Sequence, residues 1–558
     1  MRTLLFRRVP AADGVALAAN VFLPDGPGPF PAVVTRTPYH RSGHTARGAQ
    51  LTDQGIAFVV SDTRGKFDSD GYFRPLVDEA ADGHAMIDWV ANQSWCNGKV
   101  GLWGASYLGI VQVPAASGQH EALRCISPSV APGAFFRDWV RYDGCFALGN
   151  LITWILTHSA GRNQPPMPHF NWSDLWSLPT ADAIFERIGF EAPALKTWAE
   201  HDVYDDYWKS LDQELMHPKI TVPGYHVGGW FDHLTRGQFN AFRNIREHGA
   251  TAAARDDQRL LIGPWGHNNV YTRGESHRNY GEWDFGHEAD LAVFEHELAF
   301  LKRYLCDIDD GYSNQPRIKI FVMGANRWIG VDDWPVPGTD EQSWNLDSAG
   351  SANTLWGDGK LTRESPTHDA DDSYLYDPAH PVPTRGGQVY WGNEHLGPID
   401  QRPLLDRHDI LVYRSQPLDK PTCVIGDVHL DLTIASDAED TDFIAKLCVQ
   451  EPCGRITSLL VGSLRCRYRE GFDKRVPLTP GQATPITLHL SQTAYVFPVG
   501  SRIVLTVTSS EFPRINPHPN TMAKPLSGEP AQTTRNRVLH GKANPSRLRL
   551  PVVEDWED

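Results

Sequence analysis

Three short segments carry residue types that together could hydrolyse an acyl bond. In Gly104-Ala105-Ser106-Tyr107-Leu108-Gly109 an apolar run from about Lys99 stops at a glycine, and a helical pattern starts just past the serine. A serine on a strained strand-to-helix turn reads this way, with small neighbours where the backbone passes close. The run Tyr225-His226-Val227-Gly228-Gly229-Trp230-Phe231 leads to Asp232, and Leu260-Leu261-Ile262-Gly263-Pro264-Trp265-Gly266 leads to His267. A serine hydroxyl attacks a carbonyl only if a histidine takes its proton, and that histidine needs a carboxylate to fix its tautomer. Taken singly, Ser106 also fits a helix N-cap, Asp232 a turn and His267 a hydrogen-bonded loop residue. All three at strand ends, in the order serine, acid, histidine, favour a catalytic triad on an α/β-hydrolase sheet.

The elements that must position these residues come in blocks. Up to about residue 135, strand-like runs alternate with helical ones, including an amphipathic stretch over 78–89. Such alternation predicts a mostly parallel sheet covered by helices. Over 136–216 the strand runs vanish and aromatics sit among polar residues: Trp139, Trp154, Phe170, Trp172, Trp176, Trp198 and Trp208. This reads as a helical cap over the C-terminal edge of the sheet. The α/β pattern resumes over 217–340. From 341 to 558 short strands separated by Gly, Pro, Asp and Ser clusters predict an all-β sandwich. Most cap aromatics serve packing, but a few should line an apolar pocket near the serine. Trp154 and Trp172 from the cap, with Trp230, Phe231 and Trp265 beside the triad segments, are the candidates.

Composition bounds the rest. A chain of 558 residues, 41% hydrophobic and with 18 Trp, can bury several cores. Its formal net charge of -16 argues against nucleic acid or an anionic membrane as the main partner. No run approaches the roughly 20 apolar residues of a membrane span. The N-terminal apolar run is too short for a signal peptide, so a cytoplasmic location is expected. The eight cysteines are scattered and read as free thiols. Despite 23 histidines there is no His-Glu-x-x-His motif, since His287-Glu288 and His296-Glu297 lack the second histidine. No metal and no cofactor are expected.

Further blocks carry a resemblance. They include Asp13-Gly14-Val15, Arg36-Thr37-Pro38-Tyr39, Asp62-Thr63-Arg64-Gly65 and Trp95-Cys96-Asn97-Gly98 before the serine. After the histidine come Asp333-Trp334-Pro335, Asp440-Thr441-Asp442-Phe443 and Ser509-Ser510-Glu511-Phe512-Pro513-Arg514. With an elbow of the form G-x-S-Y-x-G, the chain resembles the cocaine esterase / X-Pro dipeptidyl-peptidase family of serine hydrolases. The resemblance implies an α/β-hydrolase fold with a helical cap and a C-terminal jelly roll. It also implies a phenol donor to the oxyanion at Tyr39, beside the backbone N–H of Tyr107.

Within that family, amino-acid ester hydrolases hold the substrate ammonium with carboxylates near the catalytic acid. Here Asp232 is followed by His233, Leu234, Thr235 and Arg236. A buried ammonium without a carboxylate is costly, so the expected substrate is a small ester of a neutral acid. An amide-cleaving acylase, a dipeptidyl-peptidase or an amino-acid ester hydrolase with acids supplied by Asp202, Asp205 or Asp206 is the alternative. A glycan-binding role for the β domain is a weaker one. Monomer and homodimer both remain open.

Overall fold

The computed structural model describes residues 1–158, 162, 172, 175, 178–366, 368–389 and 396–554. Phe170 and Trp176 lie outside the described residues. Ten strands form one sheet: β1 (Arg2–Pro10), β2 (Ala16–Leu23), β3 (Phe30–Thr37), β4 (Ala57–Asp62), β5 (Cys96–Ala105), β6 (Leu123–Ser129), β7 (Gly224–Gly229), β8 (Gln258–Gly263), β9 (Ile318–Val322) and β10 (Arg327–Val331). Their spatial order is β1-β2-β4-β3-β5-β6-β7-β8-β9-β10. The central pairings from β4 through β9 are parallel, and the outer ones are antiparallel. Helices Glu79–Ala91, Thr235–His248 and Val293–Leu305 cover the faces. A strand covered on both sides must be apolar on both sides, and Ala57–Asp62 is buried at every position.

Between β6 and β7 the chain builds the helices Leu148–His158, Ala181–Ile188, Pro193–Glu200 and Asp206–Leu211. Trp139, Trp154, Trp198 and Trp208 pack there into one aromatic cluster that also takes in Tyr107 and Ile110 beside the serine. From Asp340 onward eleven strands form a second sheet system, paired antiparallel with one exception. Its apolar interior is continuous with that of β8 and β9. The fold is therefore an α/β hydrolase with an inserted helical cap and a C-terminal all-β domain. Among the described residues no helix is long and apolar enough to cross a membrane. All eight cysteines carry free thiols.

The segment Asp440-Thr441-Asp442 is structural. Asp442 takes two parallel hydrogen bonds from Arg465, at 2.9 and 3.0 Å, with both side chains buried. Asp440 pairs with Arg467 and, at 2.8 Å, with His518. Removing one partner of such a pair leaves a buried charge uncompensated. Arg465→Met is therefore expected to destabilise the β domain by about 3–5 kcal/mol, and adding Asp442→Leu should recover much of that loss. Thermal melts of the single and double variants check this; an unchanged melting temperature in the single variant contradicts it.

Candidate active site

Ser106 sits between β5 and the one-turn helix Tyr107–Ile110 with φ 58°, a left-handed conformation rare for a residue with a side chain. Hydrogen bonds pin the turn, from Ser106 N–H to Ser129 O at 2.9 Å and from Gly109 N–H to Ser106 O at 2.8 Å. Gly109 is required because a Cβ there would lie 2.7 Å from the Ser129 carbonyl oxygen. Below the turn, the buried Glu297 accepts hydrogen bonds from Trp103 Nε1, Ser127 Oγ, Ser129 Oγ and Tyr271 OH at 2.8–3.0 Å. This ties β5, β6 and the loop after His267 together. Sequence reasoning met Glu297 only as half of a metal motif, because its partners come from three distant segments.

Asp232 and His267 follow neighbouring parallel strands whose last residues, Gly229 and Gly263, are in register. Trp230 N–H donates to Gly263 O and Phe231 N–H to Trp265 O, each at 2.9 Å, so the two loops leave the sheet as a pair. Gly229 allows this approach: a Cβ would fall 2.2 Å from the Trp265 carbonyl oxygen. His267 Nδ1 then lies 2.9 Å from Asp232 Oδ1, and His267 Nε2 lies 2.9 Å from Ser106 Oγ. Burial alone would push the Asp232 carboxyl up. His267 and His233 outweigh that and hold it well below the usual carboxylate range.

His233 brings its Nδ1 to 3.2 Å from the same Asp232 oxygen. Among the described residues, Asp232, His233 and His267 are also the one cluster whose atoms could hold a metal ion. Both Nδ1 atoms face one carboxylate oxygen, and a ring nitrogen that donates its N–H there offers no lone pair to a cation. The trio therefore fits a hydrogen-bonded cluster better than a ligand set.

Tyr39, just past β3, brings its hydroxyl to 3.5 Å from Ser106 Oγ, and the backbone N–H of Tyr107 faces the same phenol oxygen. Burial raises the Tyr39 pKa, which keeps the phenol protonated and able to donate. The Tyr107 side chain points away: its hydroxyl donates to Glu79 at 2.6 Å, and Glu79 pairs with Arg36 at 2.7 Å.

A cavity of about 440 Å³ opens over Ser106, walled mainly by Trp139, Trp154, His158, His233, Leu234 and Tyr271. No Asp, Glu, Lys or Arg is among the described residues lining it. Four of the five aromatic expectations for this pocket need correction. Trp230 and Phe231 are fully buried in the core shared with the β domain, because the chain turns them inward beneath Asp232. Trp265 is buried on the other side of the sheet, stacked on His277. Trp172 packs half-buried against the cap cluster and is not among the described residues lining the cavity; of the five, Trp154 does line it. Asp202 is paired with Arg475, Asp205 caps a helix at Trp208 N–H, and Asp206 is exposed beside Lys209; none reaches the cavity. His158 escaped sequence reasoning, since nothing local distinguishes the last residue of a cap helix.

This sheet, with a strained serine, a histidine and an aspartate gathered at its C-terminal edge, defines an α/β-hydrolase-fold serine hydrolase. Residues 13–269 match the X-Pro dipeptidyl-peptidase (S15) family, and residues 310–549 match the X-Pro dipeptidyl-peptidase C-terminal non-catalytic domain. The chain is 32% identical to a cocaine esterase from Rhodococcus sp. (strain MB1 Bresler), over 98% of each protein. Among solved structures, an α-amino acid ester hydrolase superposes with a TM-score of 0.86 at 26% identity, covering 99% of this chain and 96% of the other. An aminopeptidase from a Thaumarchaeota archaeon gives 0.85 at 26% identity, covering 98% and 97%. The chain belongs to the S15 family and is a carboxylic ester hydrolase of the CocE/NonD type.

The two further histidines of the cavity set a pH expectation. Burial, helped by Lys66, lowers the pKa of His158 to about 4; burial, opposed by Asp232, lowers that of His233 to about 4. Each therefore stays neutral until the solution is more acidic than that. In an NMR titration of the two imidazoles, neither ring is expected to take up a proton until the solution nears pH 4, and protonation of either already at about pH 6 would contradict this.

Proposed function

We propose that the chain hydrolyses esters of neutral carboxylic acids through an acyl-enzyme. Ser106 is the nucleophile, His267 the general base and acid, and Asp232 the carboxylate that fixes the imidazole. Tyr39 OH and the Tyr107 N–H are the oxyanion donors. The catalytic unit is then the core of 1–135 and 217–340 beneath the cap of 136–216, with 341–558 as the β domain. The observation that carries this reading is the unbroken Asp232–His267–Ser106 hydrogen-bond chain, 2.9 Å at each step, on the floor of the cavity.

The steps follow from that geometry. Ser106 Oγ bonds to the ester carbonyl carbon while its proton passes to His267 Nε2 and the carbonyl electron pair moves onto oxygen. The two donors stabilise that oxyanion more than the neutral carbonyl, which lowers the barrier. Collapse breaks the bond to the alkoxy oxygen, which takes the proton from His267 and leaves as the alcohol. Water then attacks the acyl group, gives its proton to His267, and the acid departs as Ser106 recovers that proton.

The absence of Asp, Glu, Lys and Arg among the described residues lining the cavity supports a neutral acyl group. An ammonium there would lose its water without a carboxylate partner. Acetyl, butyryl and benzoyl p-nitrophenyl esters are expected to be cleaved faster than the phenylglycyl ester, the matching amides or an Ala-Pro anilide. A preference for the free-amine ester would refute the acyl assignment while leaving the triad standing.

Roles in the triad are tested separately. A fluorophosphonate is expected to label Ser106, located by peptide mass, and Ser106→Ala should abolish turnover with the fold intact. Labelling at another serine would sink the assignment. Asp232→Asn should lower kcat by up to about 10⁴-fold with binding retained, and Tyr39→Phe should slow every substrate by about 10²-fold.

A further inference from the structure

The helical cap does more than wall the cavity. Trp154, on the helix Leu148–His158, donates its indole N–H to the Tyr39 hydroxyl at 3.0 Å. An indole N–H is a donor only, whereas a phenol hydroxyl holds one proton and can also accept. With a lone pair of the Tyr39 oxygen engaged by Trp154, its single proton is left free to point toward Ser106, 3.5 Å away. Ser106 does not need to donate in that direction, because its own proton faces His267 Nε2 at 2.9 Å.

The indole is held so that it cannot easily turn away. Its ring stacks on that of Tyr107 at 5.6 Å and 8°, and it meets the edge of Trp139 at 5.2 Å and 77°. Tyr107 is itself fixed, its hydroxyl donating to Glu79 and accepting from Leu76 N–H. The C-terminal end of the cap helix is tied to the core, where Lys66 Nζ donates to the His158 carbonyl at 2.8 Å.

We propose that Trp154 is a positioning residue for the oxyanion site: its N–H orients the Tyr39 phenol, so that the cap completes the catalytic machinery of the core. The inference rests on the reading of Tyr39 as an oxyanion donor. As the phenol donates to the developing oxyanion, its own oxygen gains negative charge. A second hydrogen bond arriving from Trp154 stabilises that charge and strengthens the first bond, as in any hydrogen-bond chain inside a protein.

A double-mutant cycle tests this with two small substrates, p-nitrophenyl acetate and butyrate. Trp154→Phe keeps an aromatic ring against Tyr107 and removes the N–H. Alone, it is expected to lower kcat about 5- to 20-fold, a share of the roughly 10²-fold or larger cost of losing an oxyanion donor outright. The factor should be the same for both acyl groups, with KM changed by less than about twofold. In a Tyr39→Phe background, where no phenol remains to orient, the same change should cost less than about twofold. An equal loss in both backgrounds, or one that differs between acetyl and butyryl, would make Trp154 a pocket wall and overturn the proposal. A Tyr39→Phe variant with full activity would overturn the oxyanion reading and this inference with it. If Trp154→Phe lowers the melting temperature, 3-benzothienylalanine at position 154, which keeps the indole shape without the N–H, gives the same comparison.

Discussion

The site depends on two parallel strands ending together. Because Gly229 and Gly263 are register partners, the loops that follow them start side by side, and paired backbone hydrogen bonds keep them so for two more residues. Asp232 and His267 are 35 residues apart in the chain, yet their meeting is decided by the strand pairing rather than by either loop. The absence of a side chain at Gly229 makes that pairing sterically feasible. The serine is brought to the same edge by β5, two strands away across β6.

Around this frame, buried charges do positional work. Glu297 draws four donors from three segments beneath the serine, and Glu79 holds the Tyr107 hydroxyl while pairing with Arg36. Buried carboxylates are expensive unless their hydrogen-bonding capacity is filled, so each fixes the geometry of every donor around it. The left-handed backbone at Ser106 costs about 1–3 kcal/mol, offset by the surrounding contacts that admit no other conformation. Rigidity below the serine aims the groups, and the described residues lining the cavity above it include no Asp, Glu, Lys or Arg to compete with them.

The β domain is part of this construction and not an appendage. Its core runs into that of β8 and β9, and Trp230 and Phe231 are buried in the shared interior. Its loops also reach the cap, where Tyr468 donates to the Asp202 carbonyl and Lys524 to the Glu200 carbonyl at 3.0 Å. An unmatched domain interface would leave the buried Asp202 carbonyl without a partner.

The sequence by itself determined the layered architecture and the three strand-end residues. Both signals are local: hydrophobic runs of strand length, and small residues at a turn followed by a functional group. Local signals could not say which aromatics reach the cavity. Trp230, Phe231 and Trp265 sit within two residues of Asp232 or His267, but a side chain's direction after a strand depends on the loop path and on what packs behind it. The tertiary structure turned all three into core. Conversely, Trp154 is 115 residues from Tyr39, and only the seating of the cap helix brings its indole N–H to that phenol. Periodicity and turn chemistry fix what each segment becomes; contacts between distant segments, set by packing and by the need to satisfy buried polar groups, decide which side chains meet.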